Sequence, residues 1–123
     1  MERVCSYMGG ITRDLNGKVM ASGGAADHVH LVATIHPSMA VADFVKEVKT
    51  GSCKLARRQI HGLSDFWWQE GYAAFTVSKS AAASVIRYVN ERGAHHKKMS
   101  FQEEFLALLK WHGVEYDERY IWR

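Results

Sequence analysis

The sequence has few of the features that mark secreted, zinc-knuckle or membrane-spanning proteins. Its two cysteines, Cys5 and Cys53, form no Cys-x-x-Cys pair, which excludes a disulfide framework and a zinc knuckle. No apolar run approaches the roughly 20 residues that cross a bilayer, and the longest clear run covers only residues 31–35. The N-terminal residues contain no apolar signal core. We therefore expect a cytoplasmic protein with reduced thiols and no membrane contact.

The chain also lacks linkers, repeats and low-complexity stretches, and Pro37 is its only proline. Its 123 residues, 47% of them apolar and 24% charged, are typical of one globular domain and exclude intrinsic disorder. We expect a single domain over residues 1–123. The net charge of +3 permits a nucleic-acid partner but does not establish one.

The spacing of apolar residues predicts four helices and three strands. The helices are predicted over residues 3–15, 39–60, 80–92 and 100–111, and the strands over residues 18–22, 27–36 and 72–77. Asn16-Gly17 predicts the turn before the first strand. This order of elements predicts an α+β sandwich, with helices over a largely antiparallel sheet.

Two histidines share one face of the strongest predicted strand. Its apolar face carries Val29, Leu31, Ala33 and Ile35, so alternation places His28 and His30 on the other face. Two neutral imidazoles separated by about 7 Å along a strand can converge on one divalent cation. A third ligand must come from elsewhere, and the spacing alone favours the alternative of two hydrogen-bonded histidines at a sheet edge.

One tyrosine lies on a flank of the predicted helix 80–92. Tyr88 is in line with Ser84 and Arg92 by the i, i+4 rule. A helix-borne tyrosine is usually a core or surface aromatic. If it faces a metal and a phosphate, however, its phenol can attack phosphorus.

Basic residues cluster on the long predicted helix, at Lys46, Lys49, Lys54, Arg57 and Arg58. The aromatic residues that follow this helix are Trp67, Trp68 and Tyr72. Bases stack on aromatic rings and phosphates pair with Lys and Arg, so the combination favours a surface for single-stranded nucleic acid. The alternative is a solvated helix face.

Several short segments, taken in their order along the chain, resemble the HUH-type single-tyrosine transposases of the simplest bacterial insertion sequences (insertion sequence 200-like transposases). The segments are GGAADHVHL at 23–31, FWWQEGY at 66–72, FTVS at 75–78, YV at 88–89, HHKK at 95–98, SFQEEF at 100–105 and EYDERYIW at 115–122. Each segment alone is a weak motif, whereas the ordered set is specific and covers nearly the whole chain.

The resemblance implies a fold and an activity. The fold would be a ferredoxin-like, RNA-recognition-like antiparallel sheet, from which the family's N-terminal strand is missing here. Tyr88 would attack a single-stranded DNA phosphate, giving a 5′-phosphotyrosine link and a free 3′-hydroxyl that later rejoins strands in DNA transposition. His28 and His30 would hold Mg²⁺ or Mn²⁺. The protein would act as a homodimer on DNA hairpins.

One departure from the family's pattern concerns the third metal ligand. The family usually has a glutamine four residues after the tyrosine, where this chain has Arg92, and a guanidinium has no lone pair with which to ligate a cation. We expect Glu91 to replace the glutamine and Arg92 to contact a phosphate. The rival expectation is a damaged metal site, in a protein that binds single-stranded DNA or hairpins without cutting them.

Overall fold

The chain forms an antiparallel β-hairpin with helices on both of its faces. A computed structural model describes residues 2–24, 28–68, 71–95, 101–113 and 115. The elements are α1 (Glu2–Asp14), β1 (Lys18–Gly24), β2 (Val29–Thr34), α2 (Val41–Gln59), α3 (Ala82–His95) and α4 (Phe101–Trp111). The predicted α+β class is confirmed. In the described part of the chain, no helix is long and apolar enough to span a membrane.

The hairpin pairs β1 and β2 antiparallel. The two strands pair from Lys18 opposite Thr34 to Gly24 opposite Val29, with an irregularity between Val19 and Ala21. Asn16, which has a left-handed backbone with φ of 65°, turns the chain from α1 into β1. Asparagine tolerates this conformation better than most residues, so the predicted turn at Asn16-Gly17 is confirmed.

One face of the hairpin packs on α1 and α2. The buried cluster between these helices consists of Val4, Met8, Phe44, Val48 and Ala56, and the residues of β2 and its C-terminal end that pack against it are Val29, Leu31, Ala33 and Ile35. Burying a large apolar side chain contributes about 1.5–3 kcal/mol, so this layer is a main source of stability. The predicted apolar face of β2 is confirmed.

The other face of the hairpin packs on α3. This helix contacts both strands, and its residue Val89 is buried against Gly23 of β1. Since side chains alternate along a strand, the residues of β2 that point away from α1 and α2 point toward α3. His28 and His30 lie on this side.

The predicted strand over residues 72–77 is wrong. Residues 71–78 adopt no strand in the structure, and within them only Phe75 and Val77 are even half-buried. Two contacts instead attach this segment to the rest of the fold. The Phe75 ring stacks on His112 with centroids 4.2 Å apart, and Lys49 Nζ of α2 donates a hydrogen bond to the Gly71 carbonyl. A strand needs a neighbour with free backbone groups, and an apolar pattern carries no information about that neighbour.

The ends of the later helices also differ from the prediction. α3 begins at Ala82, two residues after its predicted start at residue 80, and the Ala81 N–H donates a hydrogen bond to the Ser78 hydroxyl. The helix continues to His95, three residues beyond its predicted end at residue 92. Ser100, where the last helix was predicted to begin, lies outside the described residues.

Gly51 lies in the middle of α2, under a side chain of α1. A Cβ at this position would lie 2.6 Å from Cδ1 of Ile11. We expect Gly51→Val to lower the free energy of unfolding, measured by urea denaturation, by about 1–3 kcal/mol, the usual cost of overpacking a core. Gly10→Val is the matched control, because no atom lies within 4 Å of a Cβ there and valine has the better helix propensity. An equal loss of stability in both variants would contradict the packing described.

Candidate metal and tyrosine site

The two predicted histidines lie side by side next to α3. His28 directly precedes β2 and His30 is its second residue, so both rings leave the same face of the sheet. Their centroids are 5.1 Å apart and the rings meet edge to face at 86°. The structure thus brings together the pair that the strand periodicity predicted.

A carboxylate from α4 joins the histidines. Glu104 Oε1 lies 2.9 Å from Nε2 of His28 and 2.7 Å from Nε2 of His30, and the glutamate is only 2% exposed. Burying a carboxylate is costly unless other groups pair with it. Here the imidazole nitrogens provide that pairing, so Glu104 is stable in an otherwise enclosed position.

These three side chains have the geometry of a cation site. A ring nitrogen of His28, a ring nitrogen of His30 and a carboxylate oxygen of Glu104 all lie within 4.8 Å of one another. Neighbouring ligands of an octahedral ion with bonds of 2.1 Å are roughly 3 Å apart, close to the separations in this cluster. Two nitrogens and one carboxylate oxygen suit Mn²⁺ and are less typical of Mg²⁺, which prefers oxygen. The residues therefore fit the predicted kind of ion.

Tyr88 reaches the same carboxylate from α3. Its hydroxyl donates a hydrogen bond to Oε2 of Glu104, and its ring centroid lies 6.4 Å from that of His30. The tyrosine is 37% exposed, so the phenol is accessible while its hydroxyl is held. A nucleophilic group and three candidate metal ligands of one chain therefore meet at one point.

The structure does not bring Glu91, the predicted third ligand, into this cluster. Glu91 is exposed on α3, and the described His, Cys, Asp and Glu residues that group around the histidine pair include Glu104 instead. Helical spacing identified which flank of α3 Glu91 occupies, but not that α4 would place another carboxylate beside the histidines. The side chain of Arg92, predicted to contact a phosphate, lies outside the described residues.

Sequence reasoning missed Glu104, to which it assigned no role. A signal was nevertheless present. Glu104 lies three residues after Phe101 and four before Leu108, which places an acidic residue on the apolar stripe of α4. A charged residue at such a position needs a buried partner.

The basic residues of α2 divide into two groups. Lys46, Lys54 and Arg58 are exposed. Lys49 Nζ and Arg57 Nε instead donate hydrogen bonds of 2.7 Å to the carbonyls of Gly71 and Phe66. The second pair therefore attaches the segment after α2 to the helix. All five lie on a helix that packs against the opposite face of the hairpin from His28 and His30.

The predicted aromatic surface beside α2 is partly realised. Trp67 is 66% exposed, with the Arg57 guanidinium 5.1 Å from its ring centroid, and Tyr72 is also exposed. Trp68 is half-buried and donates a hydrogen bond from Nε1 to Ser52 Oγ. Two of the three predicted aromatics are therefore accessible for stacking, and the third is structural.

Comparison with known proteins gives a family for this arrangement. Residues 1–92 of the 123-residue chain match the family described as "Transposase IS200 like". The "ISDra2 transposase TnpA" of Deinococcus radiodurans is 31% identical over 71 residues, 54% of this chain and 51% of that protein. The chain thus spans about half the length of the curated relative it matches, and no solved structure matches significantly. The family match covers most of the chain, including both histidines and the tyrosine, and the chain therefore belongs to the IS200-like transposase family.

Proposed function

We propose that this protein cuts and rejoins single-stranded DNA in transposition, in a metal-dependent reaction through a 5′-phosphotyrosine link to Tyr88. The observation that carries the proposal is the sharing of Glu104. The hydroxyl of Tyr88 contacts one oxygen of this buried carboxylate, and His28 and His30 contact the other. Nucleophile and candidate metal ligands are therefore arranged around a single group.

The proposed cation ligands are His28, His30 and Glu104, with Glu104 in the role first expected of Glu91. Mg²⁺ or Mn²⁺ bound there would neutralise charge on the non-bridging oxygens of the phosphate. Glu104 supplies the oxygen ligand that Arg92 cannot supply at the family's glutamine position. Its hydrogen bonds to both imidazoles and to the Tyr88 hydroxyl orient the carboxylate in the buried site.

The proposed reaction needs one nucleophile and no external energy source. The phenolic oxygen of Tyr88 attacks the phosphorus, and the bond from phosphorus to the 3′ oxygen breaks. The 5′ phosphate of one fragment remains on the tyrosine, and the other fragment of the cut strand ends in a 3′-hydroxyl. The phenolic proton leaves along the hydrogen bond to Glu104 Oε2, and the 3′ oxygen takes up a proton. Attack by a 3′-hydroxyl on the phosphotyrosine reverses these steps and joins strands.

The proposed DNA partner is a single strand with a hairpin, held partly by α2. Exposed Lys46, Lys54 and Arg58 supply charge for the backbone, and exposed Trp67 and Tyr72 supply rings for bases. Lys49 and Arg57 would contribute indirectly, because they fix the segment that carries these aromatics.

We also propose a homodimer, as the family resemblance implies. In the family, the tyrosine helix of one subunit can complete the site of the other, whereas in this structure Tyr88 contacts the cluster of its own chain. Sedimentation velocity of the purified protein tests the dimer directly, and a monomer at all concentrations would contradict it.

Removing Glu104 should weaken metal binding. We expect Glu104→Ala to reduce Mn²⁺ affinity at least tenfold, because one of the three ligands is lost, as measured by isothermal titration calorimetry. Glu104→Gln keeps an oxygen ligand and should bind Mn²⁺ with intermediate affinity. Glu91→Ala is the control, since this carboxylate is exposed and outside the cluster. A loss of affinity in Glu91→Ala but not in Glu104→Ala would contradict the proposed ligand set.

Removing the Tyr88 hydroxyl should abolish the covalent product. We expect wild-type protein, incubated with Mn²⁺ and an end-labelled single-stranded hairpin oligonucleotide, to form an adduct that survives a denaturing gel. Tyr88→Phe should form none, and Tyr7→Phe, which removes the hydroxyl of a tyrosine on α1, should form it normally. Tight hairpin binding by the wild type without any adduct would favour the inactive binding protein instead.

Removing exposed charges from α2 should weaken DNA binding in a salt-dependent manner. We expect Lys54→Ala and Arg58→Ala each to lower the affinity for single-stranded DNA and to reduce the slope of log affinity against log salt by about 0.7–1. Lys18→Ala, which removes an exposed charge from β1, is the control. Unchanged slopes for both α2 variants would show that DNA does not contact this helix.

A further inference from the structure

Gly23 lies where β1, β2 and α3 meet. It is the cross-strand partner of His30. A Cβ on Gly23 would lie 2.5 Å from the carbonyl oxygen of Val89 and 3.7 Å from its Cγ1, and Val89 is only 4% exposed. The backbone of α3 therefore rests directly on the backbone of β1, next to Tyr88.

We infer that Gly23 is a positioning residue for Tyr88: its lack of a side chain lets α3 dock closely enough for the phenol to reach Glu104. This inference rests on the proposed function of Tyr88. A backbone oxygen inside a helix cannot rotate away as a flexible side chain can. A larger residue at position 23 therefore displaces α3 by about 1 Å before ordinary contact distances return.

The displacement would separate the nucleophile from the ligands without separating the ligands from one another. Tyr88 belongs to α3, whereas His28 and His30 belong to the β2 region and Glu104 belongs to α4. Metal affinity and tyrosine chemistry are thus two independent readouts. A purely structural defect would lower stability, but it would not slow adduct formation while leaving metal affinity unchanged.

The other described glycines do not have this role. A Cβ at Gly24 would meet the carbonyl oxygen of His28 within the hairpin itself, and one at Gly51 would meet the Ile11 side chain on the opposite face. At Gly9 and Gly10 no atom lies within 4 Å. Among the glycines that the structure describes, Gly23 is therefore the one whose bare backbone contacts α3.

The test compares Gly23→Ala with two controls in the full chain. Misplacing a reacting atom by 1 Å costs on the order of 100-fold in rate, so we expect Gly23→Ala to form the Tyr88–DNA adduct roughly 10–100-fold more slowly. Its Mn²⁺ affinity should stay close to that of the wild type. Gly10→Ala controls for adding a methyl group. Gly51→Val controls for lost stability, and should form the adduct at the wild-type rate at a temperature where it is folded.

Two results would overturn the role of Gly23 alone: a wild-type adduct rate in Gly23→Ala, or a parallel loss of Mn²⁺ affinity. If circular dichroism shows that Gly23→Ala is unfolded, Val89→Ala carries the test, since it loosens the buried anchor of α3. Slower adduct formation with unchanged Mn²⁺ affinity then supports the inference, and a wild-type rate overturns it. Absence of any adduct in the wild type overturns the proposed function, and with it this role.

Discussion

A buried carboxylate that must be paired is the constraint on which the rest of this structure depends. Glu104 is enclosed, and a charge in such a place is tolerated only when hydrogen-bond donors surround it. The donors that meet it come from the β2 region and from α3, while Glu104 itself comes from α4. The polar contacts of the candidate site therefore also attach α4 to the hairpin, and the site and this part of the fold stabilise each other.

The hairpin separates this polar chemistry from the apolar layer. One face packs against α1 and α2 through the branched side chains of β2, and this side contributes burial that needs no directional contacts. The other face holds His28 and His30 beneath α3. Strand residues alternate between the two faces of the sheet. β2, with His28 directly before it, therefore contributes apolar side chains to the core on one face and two candidate ligands on the other.

The proposed use of Glu104 in place of the family's glutamine would have an electrostatic consequence. At the glutamine position that the family resemblance implies, this chain has Arg92, which cannot ligate a cation, and in the proposed site the oxygen ligand comes from α4 instead. A carboxylate brings a full negative charge, so the site should attract a divalent cation more strongly than a neutral amide would. In the proposed reaction, the same charge would leave less net positive charge facing a DNA phosphate. The carboxylate also accepts the hydrogen bond of the Tyr88 hydroxyl.

The resemblance to the family singled out Tyr88 and gave the two histidines a role. The sequence by itself determined the α+β class, the four helices, the two strands β1 and β2, the apolar face of β2 and the shared face of His28 and His30. These follow from local rules, because periodicity, turn residues and alternation act over a few neighbouring residues. Only the tertiary structure decided that residues 72–77 find no strand partner, that Lys49 and Arg57 hold a loop, and that Glu104 rather than Glu91 meets the histidines. Each of these depends on which distant segments come into contact, and residues 74 positions apart along the chain, such as His30 and Glu104, share no local pattern.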